Sequence, residues 1–335
     1  MGAIESIGIV GAGAWGTALA QAVSRAGRRA TLFARDPAVA AAIERDHRNP
    51  RHLAEIALDR GVGASADLAA AASCDALLLT VPVQALRQVA RALPPSPAPL
   101  VICAKGFETA SGQRLSEVVA GERPASPVAV LSGPNFAREV AEGLPTATTL
   151  GAADPALGRG LAEALSSASL RVYWTDDVTG VEVGGAVKNV LAIAAGIVAG
   201  RGLGENARAA LITRGLAELA RLGAALGARR ETLMGLAGLG DLVLTAASLT
   251  SRNMAFGHAI GRGGDPQVLS RQAGVLVEGA FTAAAVMRLA ARHGVEVPIC
   301  AAVDAIIAGR LDIAAALDSL MSRPIRMEGE PTESP

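Results

Sequence analysis

The stretch "IESIGIVGAGAWGTALAQAVSRAG", residues 4–27, decides how the first half of this chain folds. Residues 4–10 are an apolar run with the length of a short buried strand, and the apolar spacing of "TALAQAVSRAG" predicts a helix that ends at Gly27. Between them lies "GAGAWG", in the pattern G-x-G-x-x-G. The stretch therefore predicts a strand, a tight glycine turn and a helix.

This glycine turn predicts a dinucleotide-binding site because a strand precedes it and a helix follows it. Gly11 allows the tight turn, Gly13 lets the backbone approach a pyrophosphate, and Gly16 lets helix and strand pack closely. The N-terminus of the helix then faces the phosphates. A tight turn without a ligand is the alternative interpretation.

The end of the second predicted strand bears on which cofactor binds. An acidic residue at this place usually holds the ribose 2′-hydroxyl of NAD. In "TLFARDP", Arg35 stands at the strand end and Asp36 follows it. Arginine can accept a 2′-phosphate or stack on adenine, so we expect NADP, or either cofactor, with NADPH slightly favoured. The alternative is that Arg35 is solvated and Asp36 reads the ribose.

Outward from the turn, strand and helix patterns alternate, which predicts a doubly wound, mostly parallel sheet. After Asp177 the apolar runs have helical spacing only. We therefore predict an α/β Rossmann-like N-terminal domain and an all-α C-terminal domain. Their predicted bounds are residues 1–177 and 178–326, with a disordered tail over 327–335. The strands are predicted at 4–10, 29–35, 75–82, 99–106, 128–134, 146–152 and 170–176.

Composition excludes several classes of protein. The 335 residues carry zero net charge and scattered arginines, so no nucleic-acid partner is indicated. The three cysteines are far apart, which argues against a disulfide framework or a zinc site and fits a reducing cytosol. The four histidines form no metal-ligand pattern, and the N-terminus does not read as a signal peptide. We expect no metal and a cytoplasmic protein.

The apolar run "VGGAVKNVLAIAAGIVAG", residues 183–200, is nearly long enough to cross a bilayer. Its glycines and alanines give little insertion energy, and a lysine near mid-span costs roughly 2.5–3.5 kcal/mol. We therefore predict a core helix and no integral membrane segment. The glycines before Lys188 are expected to allow close approach of the cofactor domain and the substrate.

Lysine is nearly absent from this chain. Of its 31 basic residues only two are lysines, Lys105 and Lys188. Arginine serves as well as lysine in surface ion pairs, but it does not release its proton usefully. The two lysines are therefore candidates for chemistry that arginine cannot perform.

Lys105 follows a buried strand in "ICAKGFE", and "SGPNFA" at 132–137 ends another strand in the same way. Ligands of open α/β sheets bind at the carboxyl ends of the strands. Lys105 is therefore expected to hold a substrate oxygen or phosphate, with Gly133 and Asn135 as donors to the same crevice. An ordinary turn before a helix is the alternative for "SGPNFA".

Lys188 lies early in the apolar helix, where a buried amine needs partners. A desolvated lysine can give and take a proton near neutral pH. Further along, Asp241 follows a glycine-rich segment, and "SRN" at 251–253 has the donors of a phosphate site. A solvated loop is the alternative for "SRN".

Seven segments together resemble the bacterial NAD(P)-dependent glycerol-3-phosphate dehydrogenases. They are "GAGAWGTALA", "AKGFE", "SGPNFA", "GGAVKNVLAIAAGI", "GLGDLVLT", "SRNMAFG" and "LVEG", in consistent order over roughly residues 5–323. The resemblance implies hydride transfer between NAD(P)H and dihydroxyacetone phosphate, giving sn-glycerol 3-phosphate for phospholipid synthesis. It also implies a homodimer.

The resemblance assigns roles to individual residues. Lys188 is the implied proton donor and acceptor, oriented by Asp241. The implied substrate-binding residues are Lys105, Gly133, Asn135, Lys188, Asn189, Asp241, Ser251, Arg252 and Asn253. The cofactor-binding residues, from the glycine pattern and the family together, are Gly11, Gly13, Ala14, Trp15, Gly16, Arg35, Lys105, Ala137, Arg252, Leu276 and Glu278. Of these, Ala137, Leu276 and Glu278 rest on the family alone.

The sequence departs from the family pattern at two places. Asn135 stands where the family commonly has Ser or Thr, and Ala246-Ala247 replace a Cys-Thr pair. Two other functions remain as alternatives. A β-hydroxyacid dehydrogenase or ketopantoate reductase would place an Asn three or four residues after the lysine, whereas here Asn189 is adjacent. A nucleotide-sensing scaffold would have no need of Lys188.

Overall fold

The computed structural model describes residues 3–272, 277–325 and 327. Its eight strands are β1 Ser6–Val10, β2 Arg29–Phe33, β3 Val62–Ser65, β4 Ala76–Leu79, β5 Leu100–Ile102, β6 Val128–Ser132, β7 Thr146–Gly151 and β8 Leu170–Thr175. The first helices are α1 Ala14–Arg25, α2 Pro37–Asp46, α3 Leu68–Ala72, α4 Leu86–Ala92, α5 Leu115–Glu122, α6 Ala137–Glu142 and α7 Pro155–Leu165, with a 3₁₀ turn at Val83–Ala85.

The remaining elements are helical. They are α8 Val178–Gly200, α9 Glu205–Ala225, α10 Arg230–Leu233, a π-helical turn Leu236–Gly240, α11 Asp241–Ala247, α12 Arg252–Gly261, α13 Pro266–Gln272, α14 Glu278–Arg292, α15 Pro298–Ile307 and α16 Ile313–Met321. No strand occurs after β8 within the described residues. The predicted fold class, a mostly parallel α/β domain followed by an all-α domain, is confirmed.

The strands form one sheet in the order β3-β2-β1-β4-β5-β6-β7-β8. All neighbours are parallel except β6 and β7, which pair antiparallel. The glycine turn lies between β1 and α1, and β1 is flanked by β2 and β4. The strand order therefore reverses beside the glycine turn, which is the place where open α/β sheets bind ligands.

Contacts divide the chain into two compact units. The first unit comprises the chain up to Lys105 and Gln113–Glu182, and the second comprises Gly106–Gly112 and the chain from Val183 onward. Each unit has its own apolar core. The domain bounds expected from sequence, with the change after residue 177, stay a prediction. Apart from Met327, the predicted tail over 327–335 lies outside the described residues.

Residues 106–112 belong to the second unit because α14 holds their backbone. Arg288 Nη2 donates to the carbonyl of Thr109 at 2.6 Å, and Arg292 Nη2 donates to that of Ser111 at 3.3 Å. The two arginines are four residues apart and so lie on one face of α14. The short segment after Lys105 is thereby fastened to the helical unit.

Helix α8 is long and apolar enough to cross a membrane, but 94% of its most apolar window is buried inside the protein. A second segment is long and apolar enough only if two parts that meet at a 48° bend, Arg230–Ala247 and Arg252–Gly261, are counted as one. Burial of this kind is typical of a core helix, because a helix that is apolar all round packs on every side.

A buried carboxylate on α9 caps the N-terminus of α15. Glu218 on α9 is 2% exposed and accepts from the backbone N–H groups of Ile299 at 2.7 Å and Cys300 at 3.2 Å. These N–H groups have no partner inside their own helix. Burial raises the pKa of Glu218 to about 7, although the two backbone donors oppose the rise. Glu218 therefore links α9 to α15 by hydrogen bonds and places an ionisable group in the core.

Candidate active site

The glycine turn has the backbone geometry that its sequence predicts. Gly11 adopts φ +121°, a conformation that side chains disfavour. A Cβ on Gly16 would stand 1.9 Å from the carbonyl oxygen of Gly11, so only glycine fits there. Thr80, just after β4, donates its hydroxyl towards the carbonyls of Val10 at 3.0 Å and Gly11 at 2.9 Å. The turn is therefore held from the neighbouring strand.

Gly13 differs from these two glycines. A Cβ placed on it would meet no described atom within 4 Å, and its φ of −74° is open to other residues. Gly13 is also the N-cap of α1, and its lack of a side chain leaves the first N–H groups of the helix without a side-chain cap. Ala14 and Trp15, both half-buried, open the helix. Open space in front of unsatisfied N–H groups suits a pyrophosphate.

At the end of β2, Arg35 is open to solvent, whereas Asp36 is engaged by other residues of the protein. Arg35 is exposed. Asp36 caps α2, because its Oδ1 accepts from the N–H of Ala38 at 2.9 Å. Its Oδ2 forms an ion pair with Arg51. Both oxygens of the one acidic side chain at this strand end are thus engaged within the protein.

Lys105 and Gly133 come together, as the sequence predicts for adjacent strand ends. Lys105 Nζ donates to the carbonyl of Gly133 at 2.8 Å. A Cβ on Gly133 would stand 2.9 Å from the Cα of Thr148, so β7 leaves room only for glycine. The amine is therefore fixed at the edge of the sheet where ligands bind.

Asn135 lies near the end of β6 with its amide orientation set by two carbonyls. Nδ2 donates to Pro134 at 3.0 Å and to Ala147 at 3.2 Å. Its buried Oδ1 has no hydrogen-bond partner among the described residues, and neither does Oγ of Ser132, which is 2% exposed. Buried polar atoms normally find partners, so both can serve a bound ligand. Ala137, half-buried, begins α6 two residues later.

In the second unit, Lys188 lies on α8 and is 7% exposed. Its Nζ stands 3.0 Å from Oδ1 of Asp241 and donates to Oγ1 of Thr245 at 2.8 Å. Both partners are on α11 and are buried. The Thr245 hydroxyl lies 2.6 Å from the carbonyl of Asp241 and 3.2 Å from its Oδ1. The structure thus brings Lys188 and Asp241 together and adds Thr245.

Sequence reasoning did not find Thr245. Its one signal was its position four residues after Asp241 on the same helix, which places both side chains on one face. The pair of partners removes the penalty of an unpaired buried charge. Lys188 is therefore a buried amine whose orientation is set by Asp241 and Thr245.

One of the two glycines before Lys188, Gly184, lies in a close contact between helices. A Cβ on Gly184 would stand 2.7 Å from the carbonyl of Ala237, within the π-helical turn that precedes Asp241. Gly238 in that turn is equally tight, since its Cβ would stand 1.9 Å from the carbonyl of Leu233. Gly184 therefore lets α8 approach the segment that carries Asp241. The expected approach of the cofactor domain and the substrate to these glycines stays a prediction.

"SRN" begins a helix and is not a solvated loop. Ser251 caps α12, because its Oγ accepts from the N–H of Met254 at 3.3 Å. Arg252 is exposed in the first turn of this helix. Asn253 Nδ2 donates to Oδ1 of Asn189 at 2.9 Å, and its Oδ1 accepts from the N–H of Gly279 at 3.1 Å. A helix start with an exposed guanidinium suits a phosphate.

The same network reaches α14, which begins at half-buried Glu278. Leu276 lies outside the described residues, so its implied cofactor contact has no structural account. No group of three or more His, Cys, Asp or Glu side chains that could hold a metal occurs in the described part of the chain. The three cysteines are free and buried.

Comparison with known proteins gives matches over nearly the whole chain. Residues 6–158 match the family model for the N-terminus of NAD-dependent glycerol-3-phosphate dehydrogenase, and residues 177–318 match the model for its C-terminus. The glycerol-3-phosphate dehydrogenase [NAD(P)+] of Rhodospirillum rubrum is 57% identical over 97% of this chain and 95% of that protein. That of Azorhizobium caulinodans is 54% identical over 98% of this chain and 100% of that protein.

Solved structures agree with these matches. The crystal structure of glycerol-3-phosphate dehydrogenase from Coxiella burnetii has a TM-score of 0.89 and 40% identity, over 96% of this chain and 99% of that one. A ketopantoate reductase from Ralstonia eutropha has a TM-score of 0.58 and 18% identity, over 91% of this chain and 98% of that one, which is a likeness of fold alone.

Proposed function

The chain belongs to the NAD-dependent glycerol-3-phosphate dehydrogenase family, and from this premise we propose that Lys188 is the proton donor and acceptor of its reaction. The protein is an NAD(P)-dependent oxidoreductase that acts on glycerol 3-phosphate and dihydroxyacetone phosphate. The observation that carries the proposal is the buried triad of Lys188, Asp241 and Thr245.

Reduction of a ketone needs a hydride at carbon and a proton at oxygen. The dihydronicotinamide of the cofactor supplies the hydride. Lys188 gives its proton to the oxygen on C2 of dihydroxyacetone phosphate as that oxygen gains negative charge, and takes it back in the reverse direction. A lysine suits this step because its ammonium is compact and can lose a proton, which a guanidinium does not do usefully.

Asp241 and Thr245 hold the amine for this step. The carboxylate of Asp241 balances the ammonium, and Thr245 accepts one of its N–H bonds. These two contacts fix the orientation of the ammonium on α8. Positioning of this kind lowers the cost of reaching the reactive arrangement.

The phosphate of the substrate is assigned to the start of α12. Ser251, Arg252 and Asn253 supply hydroxyl, guanidinium and amide donors there, and the positive end of the helix dipole adds to them. Asn189 supports Asn253 through their hydrogen bond. The remaining proposed substrate contacts are Lys105, Gly133 and Asn135.

The cofactor is assigned to the glycine turn of the first unit. The open space at Gly13 and the uncapped N–H groups of α1 support this assignment. The proposed cofactor contacts are Gly11, Gly13, Ala14, Trp15, Gly16, Arg35, Lys105, Ala137, Arg252, Leu276 and Glu278.

Three further parts of the proposal concern the protein in the cell. Its sn-glycerol 3-phosphate enters phospholipid synthesis, for which this compound is the backbone. Three free, buried cysteines support a reducing, cytoplasmic location. A homodimer is the oligomeric state that the family implies.

The experiment is oxidation of NADPH and of NADH by the purified protein with dihydroxyacetone phosphate. We expect turnover with at least one cofactor, and far less with dihydroxyacetone, which lacks the phosphate. A folded sample that turns over neither cofactor contradicts the function. Equal rates with and without the phosphate contradict the assignment of a phosphate site.

A further inference from the structure

A buried asparagine ties one loop of the first unit to the glycine turn. Asn49 is 0% exposed, and its Nδ2 donates to the carbonyl of Ala12 at 2.9 Å and to Oγ1 of Thr17 at 2.8 Å. Its Oδ1 accepts from the N–H groups of Arg51 at 3.0 Å and His52 at 3.2 Å. The two Nδ2 bonds join the loop after α2 to the glycine turn and to the start of α1, and the two bonds to Oδ1 hold the backbone of that loop. The backbone of Arg51 is therefore fixed with respect to that turn.

The side chain of Arg51 is fixed as well. Its Nη2 forms the ion pair with Oδ2 of Asp36, and this side chain is 64% exposed. A guanidinium has five N–H donors, so most of them remain available to a ligand. Arg51 thus presents a positioned positive charge beside Asp36, the residue that follows Arg35.

Asp36, in contrast, already has a partner on each of its two carboxylate oxygens. One oxygen caps α2 and the other pairs with Arg51. An acidic residue that reads the ribose of NAD must accept from the 2′-hydroxyl. Within the described residues Arg35 has no hydrogen bond or ion pair. The end of β2 therefore holds two guanidinium groups and one carboxylate that is already paired.

We propose that Arg51 is a second cofactor-specificity residue, which binds the 2′-phosphate of NADP together with Arg35 while Asp36 holds its guanidinium in place. Two arginine forks match the oxygens of a phosphate dianion, which a ribose hydroxyl does not offer. The enzyme consequently prefers NADPH to NADH. This inference rests on the proposed function only in that the first unit binds NAD(P).

The test is equilibrium binding of NADPH and NADH to the full-length protein and to Arg51→Ala. A hydrogen bond to a charged group contributes roughly 1.5–3 kcal/mol, so we expect NADPH affinity to fall by about tenfold or more. NADH affinity should change by less than about threefold, because NADH has no 2′-phosphate for Arg51 to bind. Adenosine 2′,5′-bisphosphate and 5′-AMP provide the same comparison without the nicotinamide.

Two variants serve as controls. Arg45→Ala removes another exposed, ion-paired arginine at the far end of α2 and should leave both affinities unchanged. Asp36→Asn keeps a cap residue at α2 but removes the carboxylate. Under the proposal it leaves NADH affinity unchanged, whereas a loss of NADH affinity would show that Asp36 reads the ribose.

The outcomes separate this inference from the proposed function. Loss of both cofactors to the same extent in Arg51→Ala, or loss of neither, overturns the role of Arg51 and leaves the dehydrogenase intact. Failure of the unaltered protein to bind either cofactor overturns the proposed function itself. Thermal unfolding of each variant shows that the first unit remains folded.

Discussion

Replacement of Thr245 by valine removes a hydrogen-bond partner of Lys188 with little change in shape. The hydroxyl that accepts from Nζ at 2.8 Å is lost, while the ion pair to Asp241 at 3.0 Å remains. A hydrogen bond to a charged group is worth roughly 1.5–3 kcal/mol, which corresponds to between about tenfold and about 150-fold in rate. Because Asp241 still holds the amine, we expect the lower end, about tenfold, in kcat.

The assay is steady-state oxidation of NADPH with dihydroxyacetone phosphate, with kcat and KM determined separately. The fall should appear in kcat, since Thr245 orients the proton donor, and NADPH binding should not change. Thr245→Ser keeps the hydroxyl and should restore most of the rate. The reasoning is refuted by valine turnover within about twofold of the unaltered enzyme, or by a serine variant as slow as the valine variant.

Three further predictions test other parts of the structure. Gly13→Ala should abolish NADPH binding but keep the midpoint of thermal unfolding, because its Cβ meets no described protein atom. Gly16→Ala should abolish NADPH binding and also lower the midpoint, because its Cβ would stand 1.9 Å from a carbonyl oxygen. Equal midpoints for the two variants would contradict this reasoning. At saturating NADPH, which offsets the proposed cofactor contact of Arg252, Arg252→Ala should raise the KM for dihydroxyacetone phosphate by about 100-fold and change the slow turnover of dihydroxyacetone much less. Equal effects on both substrates would remove Arg252 from the phosphate site. The buried Glu218, whose pKa is raised from 4.5 to about 7, favours the folded state fully below about pH 4.5 and loses this contribution as the pH rises through 7. The midpoint temperature of thermal unfolding should therefore decrease as the pH is raised from about 5 to about 8, and Glu218→Gln should make that decrease smaller. An equal decrease in both proteins would show that another group is responsible.

Local sequence patterns were enough to predict the fold class. The glycine turn and the alternating apolar runs predicted seven of the strands, and the apolar run 183–200 predicted a core helix that lies within α8. Strand β3, "VGAS", was missed because it is short, contains glycine and has no apolar run. Helix α12 was missed because its polar start was interpreted as a loop or phosphate site, although a serine cap is itself a helix signal.

Individual site residues could be proposed where a motif or an unusual residue type marked them. Lys105 and Lys188 stood out because the chain has no other lysine. Thr245 and Asn49 did not, since their roles depend on partners 57 and 37 residues away, and no local pattern predicts such pairings. The contact between Gly184 and Ala237 was equally hidden, because it depends on the packing of α8 against the π-helical turn.

The most direct test of the proposed mechanism is the turnover of Lys188→Arg, measured beside its affinity for NADPH. Arginine keeps the positive charge near Asp241 but cannot serve as the proton donor. We predict a fall in kcat of at least about 10²-fold, the loss expected for a positioned acid–base group, with NADPH affinity unchanged. Turnover close to that of the unaltered enzyme would contradict the assignment of Lys188.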